Sequence, residues 1–321
     1  MSIPTLNRGL VGFVVCGFLP TLACAPGNES VAEGGLASVL SQDPTAEPQT
    51  MSLFGEPLFA VEDTSGVVEE ADAALARAPD DVELLIAAGR VRRNFQQYRQ
   101  ALALYTRALE LAPNDWRPYR YRGHRHISLR AFDAAIQDLE AARELAPLNW
   151  DVAYHLGLAY FLAGRFVDAS DEYQRCLGLS EDEGAAAAQA ADFRSCSQNG
   201  ADPGSRVAMT EWAVRAALRS GREALASELL AGIPEDLEIG ANLPYYHDLL
   251  FYKGMKTADE LLAPDSPYRL ETVGYGVANW YLAQGDTTTA VELLEEVAGH
   301  PHWAGFGRIA AEAELVRLGG G

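Results

Sequence analysis

Small and aromatic residues recur between Val82 and Cys176 at a spacing that only paired helices explain. Gly89, Gly123 and Gly157 are each 34 positions apart, as are Tyr98, Phe132 and Phe166, and Ala101, Ala135 and Ala169. Tyr105, Leu139 and Tyr173 keep the same register, and so do Ala108, Ala142 and Cys176. Within each unit the glycine falls inside a first helix and the alanine early in a second. Two helices close to contact distance only where side chains are short. The aromatic that opens the second helix and the bulky residue after it lie on one face and fill the space between pairs. Leu111-Ala112-Pro113 and Leu145-Ala146-Pro147 end two of the units, since proline cannot continue a helix. The pattern predicts an all-α chain of stacked helix pairs.

A 34-residue helix-turn-helix period carrying these residues resembles the tetratricopeptide repeat (TPR) family. The resemblance implies a helical solenoid of antiparallel helix pairs that holds a partner in its concave groove. It also implies that at least about three units must stack for stability. Val67 to Pro79 has the form of the second helix of an incomplete leading unit, so the array is expected over residues 67–180. Residues 181–206 are acidic, then alanine-rich, then polar with Asn199-Gly200 and Asp202-Pro203-Gly204, which marks an insertion or hinge. Helical periodicity resumes at Val207. Residues 207–321 are expected to form degenerate repeats, with a final helix from Gly307 to Leu318 over the open end.

Residues 1–23 carry one basic residue, Arg8, and an apolar run from Leu10 to Leu19 too short to span a bilayer, the form of an export signal. Thr21-Leu22-Ala23-Cys24 resembles a bacterial lipobox. That resemblance implies cleavage before Cys24, lipidation of its thiol and amino group, and retention at the envelope, on the periplasmic face of an outer membrane. The alternative is ordinary cleavage and a freely periplasmic or secreted chain. Residues 24–66, rich in Gly, Pro, Ser, Thr and acids, read as a flexible tether. The apolar island from Met51 to Phe59 within it is expected to dock back on the first helices.

Composition narrows the partners. The 321 residues are 48% hydrophobic, ample for a core, and carry a formal charge of -20. Such a charge opposes nonspecific binding to nucleic acid or to an anionic bilayer, so contact with a membrane is expected through the lipid anchor only. Positive charge is nevertheless concentrated in one place: ten arginines lie between positions 90 and 130, against Glu110 and Asp115 alone.

Groove-lining positions of the resembled family fall on Glu83, Ile86, Arg90, Arg93 and Asn94 in the first unit. In the second they fall on Arg117, Arg120, His124, Ile127 and Ser128, and in the third on Asp151, Tyr154, Leu158, Phe161 and Leu162. The partner-binding set expected from them is Arg90, Arg93, Asn94, Arg117, Arg120, His124, Tyr154, Leu158 and Phe161, a groove running from basic to aromatic and apolar. Arginine suits bidentate contact with a carboxylate, so the expected partner is a protein or peptide with an acidic segment. A small anionic ligand held by the same arginines is the alternative, and pairing of these arginines with the excess acids is the plain structural one.

Catalysis is not expected, nor a cofactor. The sequence has no Gly-rich phosphate loop and no serine elbow. His124 and His126 are two apart and diverge on a helix, whereas ligands to one metal want spacings of three or four. A metal protein would require His124 and His155 to converge with carboxylates. Cys176 and Cys196 remain as an unlipidated pair. An oxidising compartment permits a disulfide between them, while the small-residue register of Cys176 is also satisfied by a buried thiol.

Overall fold

The structure is a computed structural model that describes residues 35–180, 194–263 and 270–319. Residues 1–34, with the export signal and Cys24, lie outside the described residues, as do 181–193 of the expected insertion. A short helix α1 (Gly35–Leu40) and a hairpin of β1 (Thr50–Met51) and β2 (Pro57–Leu58) precede the array. The array comprises α2 (Val67–Arg77), then the pairs α3 (Val82–Arg92) and α4 (Tyr98–Leu111), α5 (Trp116–Ser128) and α6 (Phe132–Leu145), and α7 (Trp150–Leu162) and α8 (Phe166–Ser180). After α9 (Cys196–Gly200) come α10 (Pro203–Arg219) and α11 (Glu223–Ala231), α12 (Leu243–Tyr252) and α13 (Ala258–Leu261), and α14 (Leu270–Ala283) and α15 (Thr287–Ala298). The last helix is α16 (Phe306–Gly319).

The 34-residue period is visible in the local chemistry of every joint. Asp81, Asp115 and Asn149 cap α3, α5 and α7, each side chain accepting a hydrogen bond from a backbone N–H of the first turn. Gln96, Arg130 and Gly164 turn the chain between the two helices of their units with positive φ, and Gly221, Gly254 and Gly285 do so in the second half. A side chain is strained there, so the first two units carry a cost of roughly 1–2 kcal/mol that glycine avoids. Between helices, the glycine register sets the closest approach. A Cβ at Gly89 would lie 2.5 Å from the Tyr105 ring, at Gly123 2.7 Å from Leu139, and at Gly157 2.5 Å from the Tyr173 ring. These glycines are therefore packing residues, and the bulky residue 16 positions on fills the space left by the missing side chain.

Two expectations change. Residues 35–66 are packed against the array: Leu36 and Leu40 join the core of Leu75, Ile86 and Leu104, and the hairpin docks beside Tyr98 and Trp303 through Leu58. The island thus meets the second half of the chain as well as the first helices. Thr50 Oγ1 donates to the Leu129 carbonyl at 3.0 Å, Leu53 N to Glu312 Oε2 at 3.2 Å, and Trp303 Nε1 to the Phe59 carbonyl at 2.9 Å. Helix α16 does more than cover an open end. It packs on α14, α15 and α7, and one core cluster joins Leu156, Leu158 and Phe161 of α7 to Trp212, Tyr275 and Ile309. The solenoid closes on itself.

Cys176 and Cys196 form a disulfide with their Cα atoms 5.3 Å apart, both side chains buried. The bridge holds the start of α9 against α8. An isolated β-bridge between Asn149 and Ser195, with Trp150 N donating to the Arg194 carbonyl at 3.1 Å, fixes the same segment to the mouth of α7. Among the described residues no helix is long and apolar enough to cross a membrane.

Candidate functional site

The residues expected to line a groove lie on α3 and the turn after it, α5 and α7, helices that are neighbours in the stack, and the two ends of this set have different fates. At the first end Arg90, Arg93 and Asn94 are exposed. Arg90 lies over the Tyr121 ring at 5.5 Å, and Arg120 lies over the same ring at 4.9 Å. Tyr121 stacks in turn on Tyr105 at 5.7 Å. Arg117 is committed to carboxylates, donating to Glu83 at 2.5 and 2.9 Å and to Asp115 at 2.6 Å. Arg120 is 7% exposed and ion-paired with Asp151.

In the middle, His124 and His155 lie with ring centroids 4.2 Å apart, and Phe306 of α16 sits 5.3 Å from the first ring. Burial, then the positive charge of Arg120, pushes His155 down to about 3. Burial and Arg125 hold His124 well below the usual histidine range. Both rings are therefore neutral at physiological pH. They do converge, with Asp151 Oδ1 3.4 Å from His155 Nδ1. Yet among the described residues no group of three or more His, Cys, Asp or Glu side chains is arranged to hold a metal ion.

At the far end the groove is filled. Leu158 and Phe161, expected to line it, are wholly buried. Phe161 meets Trp212 at 5.3 Å and Tyr275 at 6.3 Å, edge to face. Tyr154 is half-buried and packed against the same core. These three are core residues because α10, α14 and α16 lie over them, which the first three units alone do not foretell. Arg317 Nη1 donates to the Leu162 carbonyl at 2.8 Å and pins α16 in place.

The family positions omit Arg125, which is 3% exposed. Arg92, Arg120, Arg130, Arg215 and Arg308 are likewise buried, and each has a carboxylate partner. Arg125 has none among the described residues and rests on the Tyr98 ring at 4.6 Å. Burial pushes its guanidinium down to about 10, leaving it charged at neutral pH. The repeat register carried the signal: the equivalent positions hold Val91 and Ala159, so an arginine occupies an apolar site.

The sequence profile described as "Tetratricopeptide repeat" matches residues 84–115. Small glutamine-rich tetratricopeptide repeat-containing protein 2 of Saccharomyces cerevisiae is 29% identical over 100 residues, 31% of this chain and 29% of that protein, so the match spans well under half of the relative's length. Among solved structures, a tetratricopeptide repeat protein from Parabacteroides merdae is similar at 17% identity and a TM-score of 0.45, over 77% of this chain and 91% of that one. YrrB, described as a TPR protein with an unusual peptide-binding site, is similar at 16% identity and a TM-score of 0.42, over 77% of this chain and 99% of that one. Stacked antiparallel helix pairs with a 34-residue register define an all-α solenoid. The fold is an all-α tetratricopeptide-repeat solenoid, and residues 84–115 match the tetratricopeptide repeat family. Tetratricopeptide domains generally bind proteins or peptides.

Proposed function

We propose that the chain is a non-catalytic interaction module held at a bacterial envelope, which receives an acidic segment of a partner protein across the α3 and α5 end of its groove. The observation that carries this is the contrast between the two ends. The apolar end is occupied by the chain's own helices, while Arg90, Arg93 and Asn94 stand exposed, with Arg90 over the Tyr121 ring. In a chain of charge -20, exposed guanidinium groups without ion pairs among the described residues are a selective surface: they attract acids and leave the acidic remainder to repel poor matches. The lipobox-like Thr21-Leu22-Ala23-Cys24 supports anchoring at Cys24, and the Cys176–Cys196 disulfide supports an oxidising compartment.

Affinity capture from solubilised envelopes with the full chain and with Arg90→Glu/Arg93→Glu tests the groove. A partner recovered by the first and lost by the second is expected; equal recovery would remove the basic end from the site. Incorporation of labelled fatty acid, abolished in Cys24→Ala, tests the anchor, and an unlabelled mature chain would favour the freely exported form.

A further inference from the structure

Exposed large apolar side chains gather on the N-terminal hairpin and the residues just after it: among the described residues Met51 is 46% exposed, Phe54 49%, Phe59 43% and Val61 54%. Strand geometry places the first three with Pro57 on one side. Leu58 is turned inward against Tyr98 and Trp303, and successive side chains of a strand point to opposite faces, so Pro57 and Phe59 are turned outward. Met51 pairs with Pro57 across the hairpin and joins them. Phe54 stands at the tip, in the turn where Gly55 takes a positive φ. The backbone of that tip is satisfied from within. The N–H of Ser52 donates to the Glu56 carbonyl, that of Leu53 to the Glu312 carboxylate, those of Phe54 and Glu56 to the Ser52 hydroxyl, and that of Gly55 to the Ser52 carbonyl. Pro57 has no N–H to satisfy. Glu56, the acid between Met51 and Phe59, is ion-paired with Arg308 at 3.3 Å.

We propose that Met51, Phe54, Pro57 and Phe59 rest in the interfacial layer of a zwitterionic bilayer, so that the chain meets its membrane through the hairpin as well as through its lipid. This rests on the anchor of the preceding section, which supplies the proximity. Gly35 follows Cys24 by eleven positions and opens α1, and eleven residues span at most about 40 Å. Helix α1 is itself fixed to the array through Leu36 and Leu40. Apolar side chains alone would suit another protein as well as a lipid surface. A surface that enters a bilayer must also leave no backbone donor without an acceptor, because hydrocarbon supplies none. The tip meets that condition at every N–H from Ser52 to Glu56. A few apolar side chains bind a bilayer weakly from free solution, but beside a lipid anchor the same contact becomes intramolecular. The charge of -20 opposes an anionic surface, so the leaflet is zwitterionic. The contact also orients the groove. Val61 N donates to the Phe95 carbonyl at 2.8 Å, in the turn that carries Arg93 and Asn94, so a docked hairpin holds that turn near the bilayer.

Fluorescence quenching tests the contact. The full chain carrying Phe54→Trp is added to phosphatidylcholine vesicles with brominated acyl chains, beside the wild type and a Val167→Trp control at an exposed apolar position on α8. Quenching of the new indole in Phe54→Trp is expected, with none beyond the wild-type level in Val167→Trp. Adding Met51→Ser and Phe59→Ser should lower the docked-to-undocked ratio about tenfold. Both side chains are exposed, so circular dichroism should show the helices intact. Equal quenching of the two indoles, or quenching that survives both serines, overturns the proposal. So does an unquenched indole at position 54 in a chain that sediments as a dimer, which places a second copy on this face. Fatty-acid incorporation, read on the same samples, separates the hairpin from the anchor. A labelled chain with an unquenched indole keeps the anchor and overturns the hairpin contact; an unlabelled chain whose indole is quenched overturns the anchor and keeps the contact; an unlabelled, unquenched chain overturns both.

Discussion

Arg130 and Glu312 are 182 positions apart and form a buried ion pair, Nη2 to Oε1 at 2.7 Å, with a second contact from Nε at 3.0 Å. Arg130 also donates to the carbonyls of Ser128 and Trp303, and Glu312 accepts from Arg308 and from the Leu53 amide. The turn of the second repeat, the N-terminal hairpin and the last helix thus meet at one carboxylate. Closure of the solenoid depends on it.

Glu312→Ala leaves Arg130 buried without its partner. Breaking one side of such a pair costs about 3–5 kcal/mol, so the midpoint of urea unfolding should fall sharply. Amide exchange should increase first in α16 and in residues 50–58. An unchanged midpoint would mean that apolar packing alone holds the clasp.

Gly157→Ala should destabilise by about 1–3 kcal/mol through overpacking, since its Cβ would meet the Tyr173 ring at 2.5 Å. Gly178, in the next helix, has open space around it. Gly178→Ala should be neutral or stabilising by roughly 0.5–1 kcal/mol. Thermal unfolding of the two single variants checks the pair, and equal effects would contradict the packing role of the glycine register.

Cys176 and Cys196 close a loop of sequence separation 20. Replacing both by Ser should cost about 3 kcal/mol through the entropy returned to the unfolded chain. Reductant should lower the melting temperature of the wild type and leave that of the double variant unchanged.

Glu211 and Asp248 share Arg215 inside the second half, all three wholly buried. Burial pushes Glu211 up to about 7 and Asp248 well above the usual carboxylate range, although Arg215 opposes both. A carboxyl whose pKa is raised on folding binds more protons in the native state than in the unfolded one, so stability falls as pH rises through the window. For Glu211 the window runs from its ordinary 4.5 to about 7. The stability that Glu211 contributes should therefore fall between pH 5 and about 7.5, read as a gap in melting temperature between wild type and Glu211→Gln that changes across this range. His155 acts in the opposite sense below its ordinary 6.5, because its folded value is depressed. A double variant that also carries His155→Phe separates the two contributions.

The repeats were legible because they are local. A glycine and a bulky residue 16 positions on, such as Gly89 and Tyr105, make contact within one helix pair, and the period repeats the contact. The glycines Gly221, Gly254 and Gly285 are local in a different way, turning the chain at positive φ between the helices of the second half. Closure was not legible. Leu158 and Phe161 look like groove residues until α10 and α16 arrive from more than 40 positions away, and no periodicity encodes that arrival. Helix α16 conceals its role further, since Glu312 and Glu314 carry charge yet are wholly buried, paired with Arg130 and Arg219. Residues 35–66 have the composition of a tether, but Leu36, Leu40 and Leu58 are enough to dock them.

The most direct measurement is amide hydrogen exchange of the full chain alone and with the partner recovered from envelopes. Protection is expected to concentrate in α3, the turn through Asn94 and α5, with α16 unchanged. Protection confined to the second half, or release of α16 from α7 on binding, would contradict it and place the partner on the apolar end that the chain itself now fills.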